Sequence, residues 1–328
     1  MSVRKVLIFI FTGTLLLSCE DNFNPYGDYV EKYAFTCILK SNEISQTATL
    51  FRSYRPDGFD PNTNTTDPAV KGADIRVWYN DSVFVFRDTS VARVDTSRYK
   101  NPFSYYYNDK FAVANKKTIE LEVLLPNGRR LRSSSLTPGQ IIFNDQSDVI
   151  VPPGGRNNLQ FLWNTLDEGT FFLARLVARY KQNLNGDILE KEVDIPLKYI
   201  PQGNELIPLY PSPGAATTIV FDMDAVTRAL QEISKSDPNK ENFSIYQNLT
   251  FILVAYDQQA SRYISSTGGS IDDLTVSVDV ADYTNIIGGF GLFASYSKND
   301  YARLKFLENY VESFGYNFIV ENAFKKFF

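Results

Sequence analysis

Histidine is absent from all 328 residues, and cysteine, methionine and tryptophan occur twice each. Without an imidazole the chain can build no Ser-His-Asp or Cys-His arrangement, no His-ligated zinc site and no ordinary imidazole acid–base chemistry. The prior for catalysis falls accordingly. Apolar length is also in short supply. The stretch Val6 to Leu17 (VLIFIFTGTLLL) has twelve residues, against about 20 for a helix that crosses the hydrocarbon. No basic block stands out either. Removing Arg4 and Lys5 with the leader leaves 31 basic residues against 38 acidic, a net charge of −7. Arg129, Arg130 and Arg132 form the densest cationic cluster, too small for a surface that tracks phosphates, so nucleic acid is not an expected partner.

What is present begins with an address. Met1-Ser2-Val3-Arg4-Lys5 is a short positive start, and a short apolar core follows it, the pattern of a secretory signal. The segment closes on Leu16-Leu17-Ser18-Cys19 instead of an A-x-A-like site. This ending resembles the lipobox of bacterial lipoproteins, with Leu17 where a small residue is usual. In that family the cysteine thiol receives a diacylglyceryl group, the signal is cut before it and the new amine is acylated. The resemblance implies that residues 1–18 are a signal peptide and that Cys19 is the lipid attachment point, held in the outer-membrane lipid. Two or more chains anchor firmly, at ~0.8 kcal/mol per buried methylene. Glu20-Asp21 directly behind the cysteine resembles the surface-export signal of Bacteroidota lipoproteins, which implies the cell-surface face, with the periplasmic face as the alternative.

The remaining length, about 310 residues, suits two domains of ~150 residues. With Cys19 lipidated, Cys37 is alone and no internal disulfide forms. It sits in the apolar strand Tyr33–Leu39 and reads as a small buried hydrophobe. Residues 19–32 are polar and proline-containing, a tether. Strands are expected at 33–40, 46–53, 73–79, 83–87, 118–125 and 129–135, with Pro126-Asn127-Gly128 turning the last pair. Thr118-Ile119-Glu120-Leu121-Glu122-Val123 alternates with period two, so one sheet face is wet and the other buried. This makes residues 33–140 an antiparallel sandwich, whose hairpin resembles Ig-like or transthyretin-like modules. Residues 141–157, rich in Pro, Gly and Asp, read as a linker. A second set of strands follows at 158–163, 169–180, 188–195, 217–222, 248–257, 274–280 and 290–296. The run from Asn158 to Tyr180 resembles the opening of a fibronectin type III domain, with Trp163 as its core tryptophan. Val226, Leu230 and Ile233 at i, i+4 and i+7 place a short helix over 223–235 within the second sandwich, residues 158–298. Tyr301, Leu304, Leu307, Val311 and Phe314 predict a helical tail over 299–328. The expected fold class is all-β: two Ig-like or fibronectin type III-like sandwiches, one inserted helix and a C-terminal helix.

Several constellations carry chemistry on paper. Asp60 to Lys71 (DPNTNTTDPAVK) has oxygen ligands at positions 1, 3 and 5 of a calcium loop. It has Thr65 where glycine is needed and Lys71 where glutamate is needed, so it reads as a polar loop. Gly289, Gly291 and Ala294 spell G-x-G-x-x-A, but late in a β domain and without a following helix, so no cofactor is expected. Ser295 and Lys298 match S-x-x-K without the companion S-D-N and K-T-G elements. Asp272-Asp273 is an adjacent acidic pair before a strand; neighbouring side chains point to opposite faces, so the pair reads as turn chemistry. Tyr105-Tyr106-Tyr107 is an aromatic cluster that serves either packing or ligand stacking. Phe327-Phe328 ends the chain in the manner of an outer-membrane barrel, but the strands are too few and irregular for one.

One segment is sharper. Asp282 to Ser297 (DYTNIIGGFGLFASYS) resembles the closing motif of a Bacteroidota lipoprotein family known only as a domain of unknown function. Members carry a Tyr-x-Asn-Ile segment before Gly-x-Gly-x-Phe, matched here by Tyr283, Asn285, Ile286, Gly289, Gly291 and Phe293. The glycines suit a close passage between backbones, and Ile286, Phe290 and Phe293 suit a core. Genes of that family often neighbour TonB-dependent receptors. The resemblance therefore implies a role beside such a transporter. With the lipobox, the acidic pair and the missing histidine, it leads to the expectation of a non-catalytic accessory or ligand-capturing subunit of a TonB-dependent uptake system. The alternative is an adhesin or scaffold subunit of an envelope assembly. A hydrolase working with carboxylates alone is the third reading.

Overall fold

The computed structural model describes residues 28–41, 43–56, 60–267 and 283–319. Strands dominate, and the protein is all-β with three α-helices among the described residues. The first half holds β1 (Tyr33–Lys40), β2 (Gln46–Arg52), β3 (Asp74–Tyr79), β4 (Ser82–Val91), β5 (Phe103–Asn108), β6 (Thr118–Leu124) and β7 (Arg130–Leu136). They pair antiparallel in the order β1-β2-β5-β4-β3-β6-β7. The period-two pattern of β6 is realised: Ile119, Leu121 and Val123 are buried, whereas Thr118 and Glu120 are exposed. The β6–β7 turn uses Gly128 at φ +82°, a left-handed conformation that suits glycine. Phe35, Cys37, Leu50, Ile75, Val77, Tyr106 and Phe111 complete this first core with the β6 residues.

The second half contains β8 (Ile142–Phe143), β9 (Ile150–Val151), β10 (Asn158–Asn164), β11 (Phe172–Leu184), β12 (Asp187–Ile195), β13 (Lys198–Gln202), β14 (Glu205–Leu209), β15 (Thr218–Asp222), β16 (Phe243–Ile245) and β17 (Thr250–Tyr256). The long β18 (Phe290–Tyr301) and the short β19 (Lys305–Phe306) and β20 (Asn317–Phe318) follow. Helices are α1 (Met223–Glu232), α2 (Gln258–Thr267) and α3 (Glu308–Glu312). The small sheet β15-β10-β8 packs over β11, β17 and β18 through aromatic rings. Phe161 stacks on Phe251 at 4.1 Å, and Trp163 meets Phe172 edge-on at 5.5 Å. Such pairs add ~0.5–1.5 kcal/mol beyond the burial of the rings.

Strand β18 joins the halves. Its first part, Phe290–Tyr296, lies parallel to Ala34–Lys40 of β1. Its last part, Tyr296–Tyr301, lies antiparallel to Phe251–Tyr256 of β17. The two cores thus share one continuous sheet. A third cluster seals the junction: Ile38, Leu292 and Ala294 pack under Tyr256, Ala260, Tyr263 and Ile264, the last three from α2.

Three sequence expectations change here, and one helix was not expected. Residues 141–157 are not a bare linker: β8 pairs with β10, β9 pairs with β19, and Ile141 and Val151 lie in the second core. The expected helical tail over 299–328 is instead the end of β18, β19, a five-residue helix and β20, as far as residue 319. Tyr301, Leu304, Val311 and Phe314 are buried as their spacing suggested, but from a strand, a turn and a short helix. Helix α2 begins where the expected strand 248–257 ends, and no expectation covered it. The inserted helix is found, ending at Glu232 instead of 235, with Val226 and Leu230 fully buried. The strand expected at 274–280 lies outside the described residues.

Candidate functional site

The closing segment is architecture, and its geometry explains its letters. Gly291 has φ +105°, and a Cβ there would stand 2.1 Å from the Phe35 carbonyl oxygen; one at Gly289 would stand 2.7 Å from that of Tyr33. Only glycine lets β18 begin this close to β1. Asn285 acts as a strap. Its Nδ2 donates to the Phe293 carbonyl at 2.7 Å, and its Oδ1 accepts from the Phe293 N–H at 2.9 Å. The Thr284 hydroxyl donates to the Gly291 carbonyl at 2.8 Å. Ile287 exchanges two backbone bonds with Arg132 of β7, at 3.0 and 2.8 Å, which closes the first core. Ile286 and Phe293 fill that core as expected. Phe290 does not: it is half-buried, lines an outer cleft with Phe51 and Tyr54, and lies 5.1 Å under Lys32 Nζ.

Where β7, β18 and α2 meet sits a buried carboxylate, Asp257. Its Oδ2 accepts from the Ser135 hydroxyl at 2.6 Å, the Ser295 N–H at 2.6 Å and the Ser295 hydroxyl at 2.8 Å. Its Oδ1 caps α2 by accepting from the Ala260 N–H at 2.8 Å. Burial raises its pKa from the usual carboxylate range to about 6, and the four donors hold it from rising further. Ser133 and Ser135 explain themselves here. They occupy inward positions of β7 because their hydroxyls bond the Asn285 carbonyl and Asp257.

The outward face of the same strands carries the cleft. Because side chains alternate, Arg76 and Trp78 of β3, Glu120 and Glu122 of β6, and Arg132 and Ser134 of β7 share the outer surface. Strand register aligns them into rows, Val83–Trp78–Glu120–Ser134 and Val85–Arg76–Glu122–Arg132. Gln259 of α2 with Asn285 and Ile287 form the wall, enclosing about 570 Å³. A further trough of about 490 Å³ shares Trp78 and Glu120 and runs on to Asn80, Lys116 and Lys117. Glu122 is committed: Arg130 Nη1 donates to its Oε1 at 2.8 Å and Arg132 Nε to its Oε2 at 3.3 Å. Glu120 has no ion pair, and Trp78 no hydrogen bond or ring contact, among the described residues. The Tyr283 hydroxyl donates to Gln259 Oε1, fixing the wall. A half-exposed indole beside an open carboxylate and a pinned amide suits stacking plus hydrogen bonding.

The positions singled out in the sequence are distributed otherwise. Tyr106 is a core pin, donating to the Val70 carbonyl at 2.8 Å and accepting from the Ala73 N–H at 3.1 Å. Tyr105 and Tyr107 stand on the opposite face, against Phe103 and Arg87. In the 60–71 loop Asp60 caps a short 3-10 turn and Asp67 pairs with Arg93 at 2.6 Å, so both acids are spoken for within the fold. Ser295 is buried and Lys298 exposed: three residues apart on a strand they point to opposite faces, so S-x-x-K assembles no dyad. Gly289–Ala294 opens a strand, not a helix. Arg129 lies over Tyr33 at 5.3 Å and bonds the Glu31 carbonyl, while Arg130 and Arg132 hold Glu122. Cys37 is fully buried, and burial pushes its thiol pKa up, which leaves it inert. Cys19, Glu20-Asp21, Asp272-Asp273 and Phe327-Phe328 lie outside the described residues.

Sequence reasoning missed Trp78, Glu120 and Gln259. One signal was available: in Asp74–Tyr79 the apolar phase is set by Ile75 and Val77, and Trp78 falls on the polar phase. The partnership with α2 had no local signature, since Gln259 is over a hundred residues away. No protein-family model and no curated protein matches the chain.

Proposed function

We propose that the chain is an outer-membrane lipoprotein, tethered through acylated Cys19, that captures a ligand without chemistry for a TonB-dependent uptake system. The observation that carries this reading is the Leu16-Leu17-Ser18-Cys19 ending of a short export signal, with Glu20-Asp21 behind it. The closing motif from Tyr283 to Phe293 resembles that of a lipoprotein family whose genes often neighbour TonB-dependent receptors, and that resemblance is what supports the receptor partner. Tyr29 and Lys32 are already bonded to the fold through Ser53, so the span left to extend is residues 19–28, which reaches at most about 35 Å. The Trp78 cleft supports ligand capture. Glu122 has both oxygens occupied by guanidinium groups, so the Glu120–Glu122 pair offers one open carboxylate instead of the two that carboxylate hydrolysis uses.

Mass spectrometry of the N-terminal peptide should find a chain starting at acylated Cys19, and Cys19→Ala should move the protein out of the membrane fraction. The tagged chain should co-purify with a TonB-dependent receptor from detergent-solubilised outer membranes. An unmodified residue 19, or recovery with no receptor, overturns the reading. One feature favours the scaffold alternative: the hairpin β13–β14 exposes Ile200, Leu206, Ile207, Leu209 and Tyr210 to solvent. Loss of cell attachment with normal nutrient growth on deleting the gene would select it.

A further inference from the structure

We propose that the Trp78 cleft takes a neutral saccharide, one ring stacked on the indole and further rings along the trough; this rests on the ligand-capture reading above. A sugar ring has an apolar C–H face and a rim of hydroxyls, so its site needs a flat apolar platform with hydrogen-bonding groups beside it. The row Val83–Trp78–Glu120–Ser134 supplies these in order: an aliphatic edge, a half-exposed indole, an open carboxylate and a hydroxyl. Gln259 adds Nε2–H donors, because its Oε1 is taken by Tyr283.

Charge selects against the competing ligands. The charged residues lining the cleft and its trough are Arg132, Lys116 and Lys117 against Glu120 and Glu122, a local excess of one positive charge. A cationic ligand meets that excess, and an anionic one meets the open Glu120 carboxylate beside its aromatic platform. A neutral polyol meets neither penalty and uses both kinds of partner. The space fits as well. The walled part, about 570 Å³, lies within the ~300–1,000 Å³ of small-molecule sites, and a trough of about 490 Å³ adjoins it at Trp78 and Glu120. The walls are also pre-set. Asn285 is strapped to Phe293, Gln259 is pinned by Tyr283 and Glu122 by two arginines, so little side-chain freedom remains to be lost on binding. The closing motif thereby holds the cleft wall as well as the first core.

The test uses the full chain in detergent against immobilised neutral hexasaccharides (β-1,4-glucan, β-1,4-xylan and α-1,6-mannan) and a random decapeptide library. At least one hexasaccharide should bind, with Trp78→Ala weakening it tenfold or more and Glu120→Gln at least threefold, while melting temperatures stay unchanged. Binding should also shift indole emission, and Trp78→Phe should remove that shift while retaining part of the affinity, since Trp163 is buried. Peptide binding that depends on Trp78, with no hexasaccharide retained, overturns the saccharide and leaves the capture reading standing. No binding of either class, or binding that Trp78→Ala leaves unchanged, overturns both.

Discussion

At the residue scale, Asp257 shows how a single carboxylate records the tertiary structure. Its donors come from β7, β18 and α2, and no cation pairs with it among the described residues. Its folded pKa of about 6 stands above the ordinary 3.8, so the unfolded chain releases the proton first as pH rises. The stability this group contributes is full below about 3.8, declines as pH rises, and is lost above 6, with an amplitude of at most about 3 kcal/mol for a shift near two units. Urea midpoints at pH 4.5, 5.5 and 7 should therefore fall more steeply for the native chain than for Asp257→Ala, whatever the variant's absolute stability. Equal slopes would refute this. In the sequence Asp257 is only an acid at the end of an apolar strand, because Ser135 lies 122 residues away and Ser295 lies 38.

At the element scale, β18 is the least replaceable strand. Position 291 combines a left-handed φ with a carbonyl 2.1 Å from where a Cβ would sit, whereas Gly128 has a left-handed φ and open space. Gly291→Ala should cost more than about 2 kcal/mol and Gly128→Ala about 1 kcal/mol, measured by urea unfolding. Similar losses would mean that β18 and β1 do not approach this closely. Elements whose pattern is local were legible beforehand. Strand β6 alternates, Asn127-Gly128 turns it, and Val226 and Leu230 face one side of α1 with Ile233 at its C-cap. The tail misled because apolar residues spaced by three and four also arise when a strand, a turn and one helical turn each bury a side chain. Helix α2 was hidden because its apolar positions seal a junction between halves, and they look sparse in isolation.

At the scale of the whole molecule, β18 makes the two halves interdependent. The first core takes Phe293 and Ile286 from it and the run before it, and the second takes Tyr301. Residues 33–140 alone would leave β1 with an unpaired edge and an open core, so that fragment should not fold. The full chain should unfold in one calorimetric transition, with calorimetric and van't Hoff enthalpies equal. A folded 33–140 fragment, or two resolved transitions, would show that the halves are separate modules. The expectation of a linker over residues 141–157 came from composition, which registers Pro and Gly but not that Val151 is buried among them.

By itself the sequence determined the all-β class, most strand positions, the inert burial of Cys37 and an N-terminus that resembles a lipidation signal. Each of these is written in neighbouring residues: period-two alternation, a turn dipeptide, a short apolar run before a cysteine. Only the tertiary structure decided that a late strand runs parallel to the first, that Asp257 ties three elements together, and that Trp78 and Gln259 share a cleft. Those are contacts between residues far apart in the chain, and they depend on how sheets curve and close, which local periodicity does not encode.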